Sequence, residues 1–254
     1  MPKLSIITVT YNAEKLIRGT LESVLSQTYS DYEYVFVDGG SSDDTCKIIA
    51  EYIGILSKRG ISTTYISEAD KGIYDAMNKG AALAKGEWVY FLNAGDSLVD
   101  NSVLERVSLE FDDNADIVYG GTVYFHSTGE IAYTGSGEDF TIMPRHMPFC
   151  VQAAFIRTEI QNKYQYDLNF KICADYDFFL CAYDNKCRFK KINIIMNNYL
   201  LGGFSSAYPF KTYLEVGKIR EKHGYLNRKS PIYIMKVIRF YLLCQLKRGK
   251  KTCR

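Results

Sequence analysis

The sequence predicts an α/β domain built on a mostly parallel sheet, and three observations carry that prediction. Through the first hundred residues, short β-branched and aromatic runs alternate with longer stretches whose apolar residues recur every three or four positions. Turn-forming clusters, among them GGSSDDT and NAGD, follow the apolar runs. With 254 residues, 47% of them hydrophobic, the chain suffices for one large core or two small ones.

Residues 4–10 (LSIITVT) read as a buried strand, and residues 14–27 as a helix because Ile17, Leu21, Val24 and Leu25 share one face. YEYVFVD (32–38) is the second strand; GGSSDDT then turns into a helix with Ile48, Ile49, Tyr52 and Ile53 inward. TTYISE (63–68) is the third strand, IYDAMNKGAALAK a helix ending at Gly86, and WVYFLN (88–93) the fourth strand. Beyond a helix near residues 102–111 the pattern is that of an α+β region, where DIVYGGTVYF and EIAYTGS flank STG as a hairpin. A strand over 153–158, a helix over 174–183 and a strand FKKINIIMNNYL precede the glycine pair of LGGFSS. Two helices follow, over 210–223 and 231–246. No apolar run is long enough to span a bilayer, and the first residues lack the basic, apolar and small-residue pattern of a signal peptide, so the expected address is the cytosol.

The formal charge of +2 conceals an asymmetry: from Glu215 onward the chain carries net +10, which leaves −8 on the first 214 residues. A basic tail on an acidic body points to an anionic surface, membrane or nucleic acid, as partner. The seven cysteines are an odd set with no C-x-x-C pair, which argues against a disulfide framework and a zinc site and leaves most of them as small core residues.

In parallel sheets ligands bind beyond the carboxyl ends of the strands, here residues 8–12, Asp38, residues 68–71 and residues 93–96. The first strand runs into TYNAEKL, which is neither of the glycine-rich phosphate loops. A diphosphate bound there needs its charge neutralised by a divalent metal or by cationic side chains, and Asp96 stands where it would hold such a metal with substrate oxygens completing the shell. The same aspartate also suits a turn or a helix N-cap. Asp38 ends the adjacent strand without an obvious basic partner, while Asp43 and Asp44 crowd the next turn and suit the cap of the helix that follows.

Four blocks in order, SIITVTYN, VFVDGGSSDDT, DKGIYDAMNKG and GEWVYFLNAGD, followed by QAAFIR, CADYDF and GGFS, resemble the family 2 glycosyltransferases across residues 3–206. The resemblance implies a GT-A fold, the Rossmann-like architecture of nucleotide-diphospho-sugar transferases, with a helical C-terminal extension. By it, residues 1–206 are the transferase domain, with a donor half to about residue 100 and an acceptor half after it, and residues 207–254 the basic extension. It places Thr8, Tyr11 and Asn12 along the nucleotide pocket and Asp38 on the base or ribose. Lys71, Asp75 and Asn78 fall near the donor's phosphates and sugar, and Asn93 and Asp96 at the family's metal motif for Mg²⁺ or Mn²⁺. Where the family more often has D-x-D-D this chain has N-A-G-D, so Asn93 contributes a neutral amide and Asp96 alone a charge.

Two aspartates of ICADYDFFLCA compete for the role of base. In a helix starting near Ala174, Asp175 shares a face with Phe178, Phe179 and Ala182, and Asp177 points about 200° away. The acid on the apolar face is the less expected one; it is either a helix cap or, as the resemblance implies, the base that takes the acceptor's proton in an inverting, single-displacement transfer. At Val151-Gln152 related sequences often show His-Gln, so Gln152 is left to meet donor or acceptor without a histidine. His126, His146 and His223 read as structural or exposed.

Relatives of this kind build cell-surface polysaccharides on lipid-linked acceptors, which gives the tail a role. YIMKVIRFYLLCQLKRGKK (233–251), within the tail 231–254 through which a membrane contact is expected, reads as a helix with Ile234, Val237, Ile238, Tyr241, Leu242 and Leu246 apolar and a basic end. Such a helix either lies in the membrane interface on the cytoplasmic side or docks on the domain. No recognised nucleic-acid module is present. The rival function is a catalytically inactive sugar-nucleotide-binding protein, motivated by Asn93 and Val151; the joint presence of Asp38, Asp96 and Asp175 argues against it.

Overall fold

The computed structural model describes residues 2–126, 128–202 and 207–251, with side chains as far as residue 245. Most of the GGFS block and Leu246 of the tail stripe lie outside the described set.

β1 (Leu4–Thr10) is buried along its whole length because it lies between two neighbours and has helices on both faces. It pairs in parallel with β2 (Tyr32–Asp38) and β4 (Trp88–Phe91), and β2 pairs in parallel with β3 (Thr63–Ser67). The register sets Thr10 beside Asp38 and Asp38 beside Ser67, so three strand ends form one rim. Alternation along β1 divides two cores. Leu4 and Ile6 pack with α1 (Ile17–Leu25) and α2 (Thr45–Lys58), while Ile7 and Val9 pack with α3 (Ile73–Leu83).

The sheet continues through strands drawn from the second half of the chain. β8 (Ala154–Arg157) is antiparallel to β4, and β6 (Ile117–Phe125) is antiparallel to β8. β9 (Phe189–Leu200) runs parallel to β6, and β5 (Ser97–Leu98) closes the order 3-2-1-4-8-6-9-5. β7 (Ile131–Gly135) pairs with the far half of β6, the hairpin read from STG. Gly120 and Gly121 mark where β6 changes partners. A Cβ at Gly120 would collide with the carbonyl oxygen of Ile194, so a side chain there would push β9 away.

α4 (Val103–Ser108) covers the first core, and α5 (Thr158–Tyr164) and α6 (Ala174–Asp184) flank the second. α7 (Pro209–Lys222) inserts Ile219 into that second core, and α8 (Pro231–Lys251) packs on α7 through Tyr213, Tyr233 and Phe240. No helix among the described residues is long and apolar enough to cross a membrane.

Several boundaries differ from the sequence reading. α1 begins at Ile17 rather than residue 14, because the backbone N–H groups of Ala13 and Glu14 are drawn onto Thr45 and Asp43 of the neighbouring turn. β5 is two residues long and exists only through its pairing with Asn197 and Asn198. Of the described cysteines only Cys173 is fully buried, so the expectation that most are core residues does not hold, and none forms a disulfide.

Candidate active site

The rim at the strand ends encloses two adjoining cavities. The first, about 350 Å³, is lined by Thr10, Tyr11, Asn12 and Asp70. The second, about 380 Å³, holds Tyr74, Gln152, Lys171 and Asp175. Ile73 and Asn93 line both, so Asn93 stands where the cavities meet.

Each wall has a local cause. Asn12 takes a left-handed conformation at φ 48° and clamps the loop after β1 to the next turn, donating its N–H to Ser41 Oγ at 2.8 Å and accepting from Ser42 N at 2.9 Å. Tyr11 is thereby presented to solvent at 65% exposure. Asp70 Oδ1 accepts from Gly72 N at 2.8 Å and closes the turn into α3.

NAGD folds as a turn: Asp96 N–H donates to Asn93 O at 3.1 Å, and Gly95 sits at φ 101°, a conformation that favours glycine. Thr20 locks it, accepting from Gly95 N at 3.0 Å and donating to Asp96 O at 2.7 Å. Asn93 Oδ1 is buried and has no hydrogen-bond partner among the described residues. Asp96 is nearly sealed, at 6% exposure, with Oδ1 accepting from Leu200 N at 3.1 Å. Burial pushes its carboxyl up to about 7 against the downward pull of that hydrogen bond.

Asp175 opens α6. Its Oδ1 accepts from Tyr176 N at 2.9 Å and from Tyr74 Oη at 3.1 Å, and burial raises the carboxyl to about 6 in spite of both. The turn before it is braced from α7, where Glu215 accepts from Ile172 N at 2.8 Å and from Lys171 N. Asp177, on the opposite side of the helix, is also buried: Lys222 at 2.8 Å and His223 at 3.0 Å hold it against α7. Asp177 is the more buried of the two acids, so the contrast between an apolar face and an opposite one does not hold: α6 is covered on both sides, and what sets Asp175 apart is that it lines the cavity.

Not every residue read from the sequence reaches a cavity. Thr8 is fully buried and donates to Leu92 O at 2.7 Å; Thr10, two residues on, faces the cavity instead. Asp38 is likewise sealed, its oxygens taken by Gly40 N, Ser41 N, Ser41 Oγ and Ser67 Oγ. Burial would raise its carboxyl, but those hydrogen bonds outweigh burial and hold it below the ordinary range. Asn78 spends its amide on Tyr166, donating to the carbonyl at 2.9 Å and accepting from the N–H at 2.8 Å. Asp75 accepts from Lys71 N at 3.0 Å and lies 3.6 Å from Lys79, so it secures the turn. Lys71 is exposed on that turn, and no ion pair holds its ammonium among the described residues. Three residues that the reading missed, Asp70, Tyr74 and Glu215, belong to the cavities or their supports. The D-K-G turn was the available signal for Asp70; Glu215 had none, since it lies 43 positions from Ile172.

A family profile described as Glycosyl transferase family 2 matches residues 5–183. The chain belongs to that family. This glycosyltransferase is 33% identical over 220 residues to a "PGL/p-HBAD biosynthesis glycosyltransferase" of Mycobacterium bovis (strain BCG / Pasteur 1173P2), covering 84% of this chain and 83% of that one. It is 31% identical over 133 residues to the "Uncharacterized glycosyltransferase EpsJ" of Bacillus subtilis (strain 168), covering 52% and 37%. Among solved structures it resembles S. aureus TarS 1-349 in complex with UDP, with TM-score 0.67 at 20% identity over 94% of this chain and 70% of that one. It also resembles the mannosyltransferase PcManGT from Pyrobaculum calidifontis in complex with GDP-Man and Mn²⁺, with TM-score 0.66 at 16% identity over 94% and 68%. The glycosyltransferase therefore has the expected GT-A-like α/β architecture.

Proposed function

We propose that this glycosyltransferase transfers a sugar from a nucleotide-diphosphate donor to an acceptor hydroxyl with inversion, and that Asp175 is the base. The observation that carries this is the placement of a partly buried carboxylate, held by Tyr74, on the cavity that adjoins the strand-end cleft through Asn93. In this reading the nucleoside lies against Tyr11 and Asn12 in the first cavity, the diphosphate passes Asn93 and Lys71, and the sugar enters the second. The acceptor oxygen attacks the anomeric carbon as the bond to the diphosphate breaks. Its proton passes to Asp175, and the nucleoside diphosphate leaves. Gln152, on the wall of the second cavity, contacts sugar or acceptor. Asp38 and Asn78 act one layer back, Asp38 by fixing the turn at residues 40–41 and Asn78 by fixing α3 against Tyr166.

No group of three or more His, Cys, Asp or Glu side chains fit to hold a metal occurs among the described residues. The donor set read for a cation completed by substrate is Asp96, a nearly sealed carboxylate that lines neither cavity and whose raised pKa would fall beside a cation, and Asn93, whose buried oxygen has no other partner among the described residues. Mg²⁺ or Mn²⁺ held there with the donor's phosphates would neutralise the departing diphosphate.

Residues 1–206 form the transferase domain of this proposal and residues 207–254 its basic extension, with Glu215 and Ile219 joining the two. The acceptor is a lipid-linked glycan of cell-surface synthesis, reached from the cytoplasmic face. Supporting this, α8 has two apolar stripes: Tyr233, Val237 and Phe240 pack inward, while Ile234, Met235, Ile238 and Leu242 remain exposed beside Lys236 and Arg239. Flotation with phosphatidylglycerol vesicles tests the contact: the full chain floats, and a chain ending before Pro231 does not. The activity is tested by scoring a nucleotide-sugar panel for metal-dependent nucleotide release, with lipid-linked acceptors added. Release with the wild type and none with Asp175→Asn is the expected result; no release across the panel despite tight nucleotide binding would favour an inactive binding protein.

A further inference from the structure

One wall of the second cavity is an aromatic rib. Tyr124 of β6 stacks on Tyr133 of β7, with centroids 4.3 Å apart and planes 18° from parallel, and Tyr199 of β9 meets Tyr124 edge-on at 5.6 Å. The two are direct partners in the β6–β7 register, so the stack ties the hairpin together, but that does not require it to line a cavity. β7 is an edge strand exposed along nearly its whole length, and Tyr133 is 55% exposed. An aromatic stack kept open to water beside a reaction centre is surface held ready for a ligand.

The rib also belongs to a further cavity. Tyr124, Tyr133, Phe149 and Cys150 line both the cavity of Asp175 and a trough of about 450 Å³ that runs along the hairpin past Thr134 and Ser136. The two spaces are therefore contiguous at the rib, and each is larger than one hexose ring. Their charge is informative. The charged side chains lining the pair are Lys171 and Asp175 beside the reaction and Glu138 in the trough, the last paired with His146 at 3.1 Å. No cation lines the trough among the described residues, so a phosphate or carboxylate there would lie uncompensated. A sugar ring suits it: its C–H face packs on an aromatic ring whose face carries partial negative charge, and its hydroxyls point to the hydroxyl-bearing walls.

We propose that the Tyr124–Tyr133 rib is an acceptor-selecting subsite for a neutral glycan of at least two sugar rings, the reacting ring on the Asp175 side and the next ring in the hairpin trough. This rests on the glycosyltransferase reading of Asp175. Tyr133 is a specificity-determining residue rather than a catalytic one, since it touches the acceptor away from the reacting atoms.

The test uses the full chain with UDP or GDP bound and saturation-transfer NMR. The probes are the methyl glycosides of glucose, galactose, rhamnose and N-acetylglucosamine, each as monosaccharide and as 1,4-linked disaccharide, with methyl glucuronide as the charged control. At least one disaccharide is expected to bind about tenfold more tightly than its monosaccharide, the size of one ring stack. Tyr133→Ala removes that advantage and Tyr133→Trp retains it. Because Tyr133 is exposed on an edge strand, neither variant is expected to unfold, which circular dichroism checks. Disaccharides that bind no better than monosaccharides, an unaltered preference in Tyr133→Ala, or equal binding of the glucuronide would overturn the proposal. Absence of donor hydrolysis in the wild type, with the Tyr133-dependent preference intact, would instead count against the transferase reading and leave the glycan subsite standing.

Discussion

Replacing Asp175 by asparagine should stabilise the protein while stopping its chemistry. The carboxyl is raised from an ordinary 3.8 to about 6, chiefly by burial. Keeping it charged in the folded state at neutral pH therefore costs about 3 kcal/mol, or about 2 once the water admitted by the cavity is allowed for. The sign follows from proton binding. Between pH 3.8 and about 6 the folded state holds a proton that the unfolded state has lost, so the wild type loses stability as pH rises through this window and stays lower above it. Asparagine keeps an oxygen to accept from Tyr176 N and Tyr74 Oη and carries no charge. Urea denaturation at pH 8 should then show the variant about 2 kcal/mol more stable, with the gap narrowing as pH falls from about 6 and closed by about pH 4. In parallel, transfer should fall by about 10² to 10⁴, and the wild-type kcat/KM should rise with pH through about 6 as the base becomes available. A variant that is less stable than wild type at pH 8, or one that transfers sugar at a rate close to the wild type's, refutes the reasoning.

Asn93→Asp adds a second carboxylate beside Asp96 and should lower the Mn²⁺ concentration that half-saturates nucleotide-sugar binding by about tenfold, measured by calorimetry; an unchanged value removes Asn93 from the metal proposal. Asn78→Ala loses both hydrogen bonds to the Tyr166 backbone and should cost about 1–3 kcal/mol in urea while nucleotide affinity is retained. A loss of affinity without a loss of stability would put Asn78 back on the donor. Asp38→Ala strips the acceptor from Gly40 N and Ser41 N and should cost about 2–3 kcal/mol, with nucleotide affinity falling only as far as the loop shifts; a thermal melt at pH 7 compared with one at pH 3 should show the effect shrinking as the wild-type carboxyl takes up its proton, because its folded pKa lies below the ordinary value.

The order of strands and helices was legible because burial imposes a period. LSIITVT and YEYVFVD are apolar on both faces, as strands covered by helices must be, and the residues of α1 to α3 repeat at helical spacing. Even the separation of Asp175 from Asp177 follows from helical geometry alone. β5 was not legible, since two residues have no periodicity and its partner lies about a hundred positions along the chain. Asp38, Thr8 and Asn78 show a different limit. Residue type and position placed them near the rim, yet whether an oxygen faces a ligand or a neighbour's N–H depends on groups brought in from other strands and turns. Thr8 carried a partial signal, being in phase with buried Leu4 and Ile6.

By itself, then, the sequence determined the α/β class and the strand ends that form the rim, because local periodicity and motif order are properties of neighbouring residues. Only the tertiary structure decided which polar atoms were left over for chemistry. Asp38 was satisfied by Ser41 and Ser67, Asn78 by Tyr166 and Asp177 by α7, while the Asn93 oxygen stayed without a partner and Asp175 stayed on the cavity. That selection rests on hydrogen bonds closed between distant segments, and each exists only after the chain has folded.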